Sequence, residues 1–455
     1  MKRVLYLAYF FPPLGGAGVQ RTLKFVRHLP SFGWQSTVLT SASRYWMEDE
    51  SLSREIPSEA QVTRVRAWGM RIVQRGVRAD AATLARSLSS VARARALSRW
   101  LLVPDAYWNW VLPAHRAAER ILAQQPHDAM ISTSSPDSAH LLALWIARRR
   151  RIPWIADLRD PWTQRLSYAP PTPLHDALHR ALERRVLLSA DHVVVTSPET
   201  RDDYLRRTPK LDPSRISVVT NGFDEEDFVR AAELAARAPD LTAETRGSIL
   251  HAGQLNPERP IEPFLQGLRI VAARRSQNAP DTVFLGGHYD ADAAAVRRLG
   301  LEDCVRFLPP KPHTESVAAL LDARILLLLE HDSPRGRLIL PGKIFEYLRS
   351  GRPILALVPG EGAAARMIRE QGAGRVADPS RPESIAGALE ELLARTANFP
   401  FSKDSRELFF TDGSTPPPLT PAAGERAPVK SFERKELTAR LAKILDTIVA
   451  SKSPS

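Results

Sequence analysis

Short apolar runs alternate with amphipathic stretches along most of this 455-residue chain, and the alternation occurs twice over. The first set of runs is "RVLYLAYF", "STVLT", "AQVTRV", "DAMIST", "PWIAD", "DHVVVTS" and "RISVVTN". The second set is "SILHAG", "DTVFLGG", "CVRFLP", "RILLLLE", "RPILALV" and "AGRVAD". Each is short and largely aliphatic, so each reads as a buried strand. The stretches between them, such as 136–150, 174–188, 260–274 and 382–394, read as amphipathic helices. Strands that alternate with helices in this way predict parallel sheets with helices on both faces. The expected fold class is α/β, with two doubly wound, Rossmann-like domains of similar size. Ligands of such sheets bind at the carboxyl ends of the strands, and two domains facing each other would form a central cleft there.

The two sets are separated by "DEEDFVRAAELAARAPDLTAETRG", residues 224–247, a polar and charged break. The expected organisation is a first domain over 1–235 and a second over 236–397. Residues 398–431 include "STPPPLTPAAGERAP", which is proline-rich and aperiodic, and read as a linker or loop. Residues 432–455 resume as a helix and tail. Phe432, Leu437, Leu441 and Leu445 recur on one face of that helix, which could pack back on either domain. Residues 70–103 are studded with arginine and lead into "PDAYWNWVL". Basic residues beside Trp100, Leu101 and Leu102, with Trp108 and Trp110 following, suit interfacial membrane contact. A surface helix pair packed on the first domain is the alternative.

Lys plus Arg number 63 against 51 Asp plus Glu, a net charge of +12. Such a balance favours anionic partners: nucleotides, nucleic acid or an anionic membrane face. No nucleic-acid motif and no basic–aromatic stacking platform accompanies it, so nucleic acid is not expected. The single cysteine, Cys304, rules out an internal disulfide and fits a reducing compartment. "MKRVLYLAYFF" imitates the start of a signal peptide, but Pro12, Pro13 and the glycines follow at once and the segment fits the pattern as strand one. No run approaches the length of a membrane span. A cytoplasmic protein is expected, peripheral at the inner membrane face if the aromatic–basic segment meets lipid.

"FFPPLGGAGVQRTLKFVRHL" places Gly15, Gly16 and Gly18 between the first strand and a helix whose apolar positions are Val19, Leu23, Val26 and Leu29. Glycines there let backbone approach a ligand, and a helix N-terminus favours an anion; a tight turn that binds nothing is the alternative. A dinucleotide fingerprint is a poor match. Arg21 stands where its third glycine would fall, and no acidic residue closes "STVLTSAS".

Three stretches, "FFPPLGGAGVQR", "WIADLRDPW" and "LPGKIFEYLRSGRPILAL", occur in this order, with "VVTNGF" before the break and "ILHAGQL" after it. Together they resemble glycosyltransferase family 4, over roughly residues 1–395 and in a branch with a PGK-x-FEY motif. The resemblance implies a GT-B fold and retaining transfer of sugar from a nucleotide diphosphate sugar. A diphosphate needs anion ligands. Pro341 and Gly342 lie at a helix start whose backbone N–H groups can face phosphates, and Lys343 adds a positive charge. Glu346 matches the family's ribose-binding glutamate, and a carboxylate suits a vicinal diol; an i,i+3 ion pair with Lys343 is the alternative. The family has an arginine after the glycine of "ILHAGQL" and then a lysine, both on the diphosphate. Here Gln254 and Arg259 take those places. The first glutamate of the family's E-x7-E, a donor-sugar contact, is replaced by Leu338, and Glu330, His331 or Asp332 stand near enough to substitute. In the first half, Arg159 and Asp160 occupy the place of a polar pair set against the donor sugar; a strand-end salt bridge is the alternative. His140 is a second candidate there, or a structural histidine. Gly15 and Gly16 match a Gly-Gly loop that reaches toward diphosphate and acceptor.

The implied reaction is retaining sugar transfer to a glycan, lipid-linked or other cell-envelope acceptor, assisted by Arg259, Lys343 and backbone dipoles. No cofactor is expected beyond the nucleotide sugar as co-substrate, and no metal. The Asp290–Asp292 D-x-D opens a helix, where acidic residues are at home. The alternatives are a nucleotide-sugar epimerase of similar fold and a non-catalytic GT-B partner or scaffold.

Overall fold

The computed structural model describes residues 1–42, 49–67, 100–238, 240–257, 259–275, 279–397 and 429–452. The arginine-rich segment up to residue 99 and the proline-rich stretch 398–428 lie outside the described residues. The chain divides into two compact units, Met1–Thr220 with Arg434–Ser455, and Asn221–Glu433.

The first unit is built on seven strands, β1 (Lys2–Leu7), β2 (Trp34–Ser41), β3 (Gln61–Val65), β4 (Ala129–Thr133), β5 (Trp154–Leu158), β6 (His192–Val195) and β7 (Ile216–Val218). All neighbours pair in parallel, in the order β3-β2-β1-β4-β5-β6-β7. Successive side chains on a strand point to opposite faces. Leu5, Leu7, Met130, Trp154 and Ala156 therefore join one core, and Val4, Tyr6, Ala129, Ile131 and Ile155 the other. Both faces are buried, which is why these strands read as continuous apolar runs. The strand order reverses between β1 and β4, and the crevice at their carboxyl ends is the usual ligand position in such sheets.

The second unit repeats the plan with β8 (Ile249–Ala252), β9 (Thr282–Leu285), β10 (Val305–Leu308), β11 (Ile325–Leu329), β12 (Ile354–Leu357) and β13 (Gly374–Ala377). They too are parallel, in the order β10-β9-β8-β11-β12-β13, so the order reverses between β8 and β11. Each of the apolar runs read from the sequence coincides with one of these strands.

The break, the late helix and the aromatic segment each take a definite place that the sequence reading misplaced or left open. Most of the polar break is a helix, Glu225–Arg237, whose N-terminus is capped by the Asp224 carboxylate accepting from the Glu226 N–H. Its buried face, Phe228, Ala231 and Ala235, belongs to the core of the second unit. The division thus falls between Thr220 and Asn221 rather than at 235/236. The late helix, Arg434–Ala450, packs on the first unit, where Leu437, Leu441, Leu445 and Ile448 join Val4, Val19, Leu23 and Val26. Lys2 and the Trp34 indole N–H both reach Asp446, at 2.7 and 3.2 Å. The tryptophans of the aromatic segment also separate: Trp100 and Trp108 are exposed, but Trp110 is fully buried, its ring centroid 5.4 Å from that of Tyr9. Trp110 is core, because it faces the sheet from the helix Trp108–Gln124.

Candidate functional site

In the second unit the site residues gather at the carboxyl ends of β8 and β11. Lys343 opens the helix Lys343–Ser350, with Gly342 as its N-cap. The Tyr347 hydroxyl of the same helix accepts from the Ala252 N–H at 3.1 Å, which ties the helix to the end of β8. The chain then passes Gly253 at φ +121°, a backbone conformation open to glycine. A Cβ there would also lie 3.0 Å from the Lys343 ammonium, so glycine makes room for it.

Lys343 Nζ lies 3.3 Å from His251 Nε2, while His251 Nδ1 lies 2.9 Å from the Leu327 carbonyl oxygen. The Nδ1–H donates to that carbonyl, leaving Nε2 to accept from the lysine. Burial, with Lys343 next to it, holds the histidine well below its usual range, so the ring is neutral. Burial also pulls Lys343 down to about 8, against the pull of Glu330 in the other direction. Arg259 Nη2 lies 2.9 Å from Glu330 Oε2. Glu330, at the end of β11, is buried, which raises its carboxyl above the usual range although Arg259 and Lys343 oppose the shift. Neither carboxylate oxygen has a well-directed hydrogen bond. Arg259 and Glu330 line a cavity of about 220 Å³ with His331, Asp332 and Ser380.

Glu346, one turn beyond Lys343, accepts from His313 Nε2 at 3.0 Å; His313 Nδ1 is 3.9 Å from Asp227. Gln254 is exposed, and its side chain lies over Gly287, where a Cβ would come within 2.1 Å of its amide oxygen. Leu338 is half-buried in the short turn Gly336–Leu338, with Glu330 carrying the carboxylate beside Arg259. Asp292 of the D-x-D accepts from the Tyr289 N–H at 2.9 Å and caps its own helix.

In the first unit, Gly16, at φ +101°, caps the helix Ala17–His28. A Cβ on Gly18 would come within 2.1 Å of Arg159 Nη1, so the arginine lies on the glycine-rich turn. Arg159 also holds Asp160, Nη2 to Oδ2 at 2.9 Å. Desolvation opposes ionisation of that carboxyl, but Arg159, Arg165 and Arg21 together hold it below the usual carboxylate range. The structure thus joins Gly15, Gly16, Arg159 and Asp160 in one unit, and Gln254, Arg259, Gly342, Lys343 and Glu346 in the other. His140 stands apart: it is fully buried, bonded to Ser132 at 2.7 Å, and burial pulls it down to about 4.

Sequence reading missed three supports: His251, His313 and Arg21. Arg21, the residue in the place of a third glycine, is buried against Asp157 with two hydrogen bonds at 2.9 and 3.0 Å. Its remaining donors reach the carbonyl oxygens of Val219 and Thr220. The histidine of "ILHAG", just before a glycine and a phosphate-binding candidate, was the available signal for His251.

Residues 15–222 match the family described as "Glycosyl transferase 4-like domain", and residues 246–395 match "Glycosyl transferases group 1". The D-inositol 3-phosphate glycosyltransferase of Corynebacterium glutamicum is 27% identical over 232 residues, which cover 49% of this chain and 53% of that protein. The chain thus spans about half the length of the curated relatives it matches. Anabaena HepE, in complex with UDP and glucose, has a similar fold at TM-score 0.58 and 14% identity, over 98% of this chain and 100% of that one. A glycosyltransferase from Rickettsia africae aligns at TM-score 0.61 and 10% identity, over 100% of this chain and 99% of that one. With a match to a 4-like domain over most of its first unit and to a group 1 domain over most of its second, this chain has the two-sheet α/β fold of the GT-B type.

Proposed function

We propose that the chain is a retaining glycosyltransferase that moves a sugar from a nucleotide diphosphate sugar to a glycan, lipid-linked or other cell-envelope acceptor. The observation that carries this reading is a pair of cations, Arg259 held by Glu330 and Lys343 held by His251, with Glu346 one helical turn beyond Lys343. In this reading Arg259, Lys343 and the N–H groups of the helix start take the diphosphate, and Gln254 adds a neutral hydrogen bond. Glu346 accepts from the ribose hydroxyls with the lone pairs that His313 leaves. Glu330, whose oxygens lack directed partners, replaces the missing glutamate at 338 as the acceptor for a donor-sugar hydroxyl.

The bond between the anomeric carbon and the β-phosphate oxygen breaks as the acceptor oxygen bonds to that carbon on the same face. The acceptor's proton passes to the departing phosphate oxygen. The fixed cations stabilise the charge that develops on the leaving group, the work a metal does elsewhere. The donor is a co-substrate, and no other cofactor enters. In the first unit, Gly15 and Gly16 serve the diphosphate and the acceptor, and Arg159 and Asp160 the donor sugar. The cytoplasmic face of an anionic membrane is the proposed location, supported by the exposed Trp100, Leu101, Leu102 and Trp108; among the described residues no helix is long and apolar enough to cross a membrane.

Calorimetric titration of the full chain with UDP, GDP and ADP, each beside its nucleoside, tests the site. Replacing both Arg259 and Lys343 by Ala should weaken the diphosphate far more than the nucleoside. Equal losses for both would remove the phosphate role and, with it, this reading.

A further inference from the structure

Glu346 takes its direction from a residue of another element. It stands one turn into the helix Lys343–Ser350, about a quarter exposed, and its neighbour Lys343 turns to His251 rather than to it. Among the described residues its hydrogen-bond partner is His313, with Nε2 at 3.0 Å from Oε1. Oε2 has no partner and is open to solvent.

His313 is itself held from several sides. It is the first residue of the helix His313–Asp322, and Pro312, at the N-cap, fixes the backbone just before it. The Pro312 carbonyl accepts the Ser316 N–H at 3.0 Å, and Lys311 reaches the Leu241 carbonyl at 3.3 Å. The imidazole lies between two carboxylates. Nε2 faces Glu346, and Nδ1 faces Asp227 Oδ2 at 3.9 Å, too far for a hydrogen bond. Asp227 comes from the helix Glu225–Arg237 and spends Oδ1 on Arg230. A carboxylate can only accept, so the proton between His313 and Glu346 sits on Nε2.

A glutamate side chain has three rotatable bonds, and ordering it when a ligand arrives weakens binding. Donation from His313 orders it beforehand. The bond uses one lone pair of Oε1 and leaves Oε2 whole, so a rigid carboxylate still presents acceptors on both oxygens to two neighbouring hydroxyls. We propose that His313 is a positioning residue for the nucleotide, fixing the Glu346 carboxylate in advance in the orientation that meets the ribose diol. The ribose rests on the glycosyltransferase reading above; the bond between His313 and Glu346 does not.

Calorimetry on the full chain tests it, with UDP, GDP and ADP and the 2′,3′-dideoxy form of each. The dideoxy forms keep base and diphosphate but lack the diol. The nucleotide that the unmodified chain binds most tightly should lose affinity in its dideoxy form. His313→Leu should weaken that ribonucleotide about fivefold, the net worth of one hydrogen bond, and leave the dideoxy form within about twofold. His313→Gln, whose amide can donate from near the place of Nε2, should restore most of the loss. His313→Asn, polar but too short to reach Glu346, gives the same comparison as leucine if leucine destabilises the fold. In a chain that carries Glu346→Gln, His313→Leu should weaken the ribonucleotide little further. An equal loss for both nucleotide forms, a Gln variant as weak as the Leu variant, or losses that simply add in the double variant overturn the positioning role. A preference for the ribonucleotide that survives His313→Leu and His313→Asn overturns this proposal alone. Equal binding of both forms by the unmodified chain removes Glu346 from the ribose and this proposal with it. Binding of no nucleoside diphosphate overturns the transferase reading as well.

Discussion

Lys343 is a cation held where its charge is disfavoured. Burial brings it to about 8, so in the free protein it is charged below that pH and neutral above it. A bound diphosphate favours the charged form, so binding above pH 8 must be accompanied by uptake of a proton. Nucleoside diphosphate affinity should be flat up to about pH 7.5 and then fall by roughly tenfold per pH unit above 8. Lys343→Arg, which does not titrate in this range, should flatten the profile; calorimetry across the pH series reads both, and a flat profile in the unmodified chain would remove Lys343 from the diphosphate. For Glu346, the change to Gln gives up a charge-assisted hydrogen bond to ribose, on the order of 1.5–3 kcal/mol. UDP binding should weaken accordingly while pyrophosphate binding does not, since pyrophosphate has no ribose. Unchanged UDP affinity would count against the assignment. Lys343 and Glu346 were legible because both sit on one short helix at a fixed spacing. His251, Glu330 and His313 were not legible as supports, since their partners are 92, 71 and 33 residues away in the chain and meet only through the sheet.

At the level of elements, the glycine-rich turn is held by the pair that links its helix to β5. Arg21 and Asp157 are both nearly inaccessible to water, and Thr133 adds a hydroxyl to Asp157 at 3.1 Å. Breaking a buried pair strands the remaining charge, at a cost of about 3–5 kcal/mol. Arg21→Met should therefore lower the urea midpoint of the first unit by that equivalent, and Arg21→Met with Asp157→Leu should recover much of it. An unchanged midpoint in the single variant would mean that the pair does not hold the turn. Strands were the most legible elements because burial on both faces leaves little room for polar residues in β5, β11 or β12. The helix Glu225–Arg237 was hidden by the opposite circumstance. Its buried face is one phenylalanine and small alanines, too little apolar bulk to stand out among Glu225, Glu226, Asp227, Arg230 and Glu233.

For the whole molecule, the excess of positive charge and the exposed Trp100, Leu101, Leu102 and Trp108 lead to one expectation. Each basic residue near an anionic leaflet adds about 1 kcal/mol, screened by salt. Sedimentation with vesicles should show binding to anionic lipid at low salt, release at high salt and little binding to neutral lipid. No difference between the two vesicle types would sink the membrane assignment.

The helix Arg434–Ala450 completes the core of a unit that begins at Met1, so the first unit is interrupted in the sequence and the second is inserted within it. On the ribosome this inverts the usual order of assembly, in which the N-terminal domain folds first. The continuous stretch from Asn221 to Glu433 can close its core while translation is still under way. The groove formed by Val4, Val19, Leu23 and Val26 has to wait, bare of its covering helix, until Arg434–Ala450 emerges. A surface made early is then covered late, and a chaperone that shields aliphatic surface would find its target there.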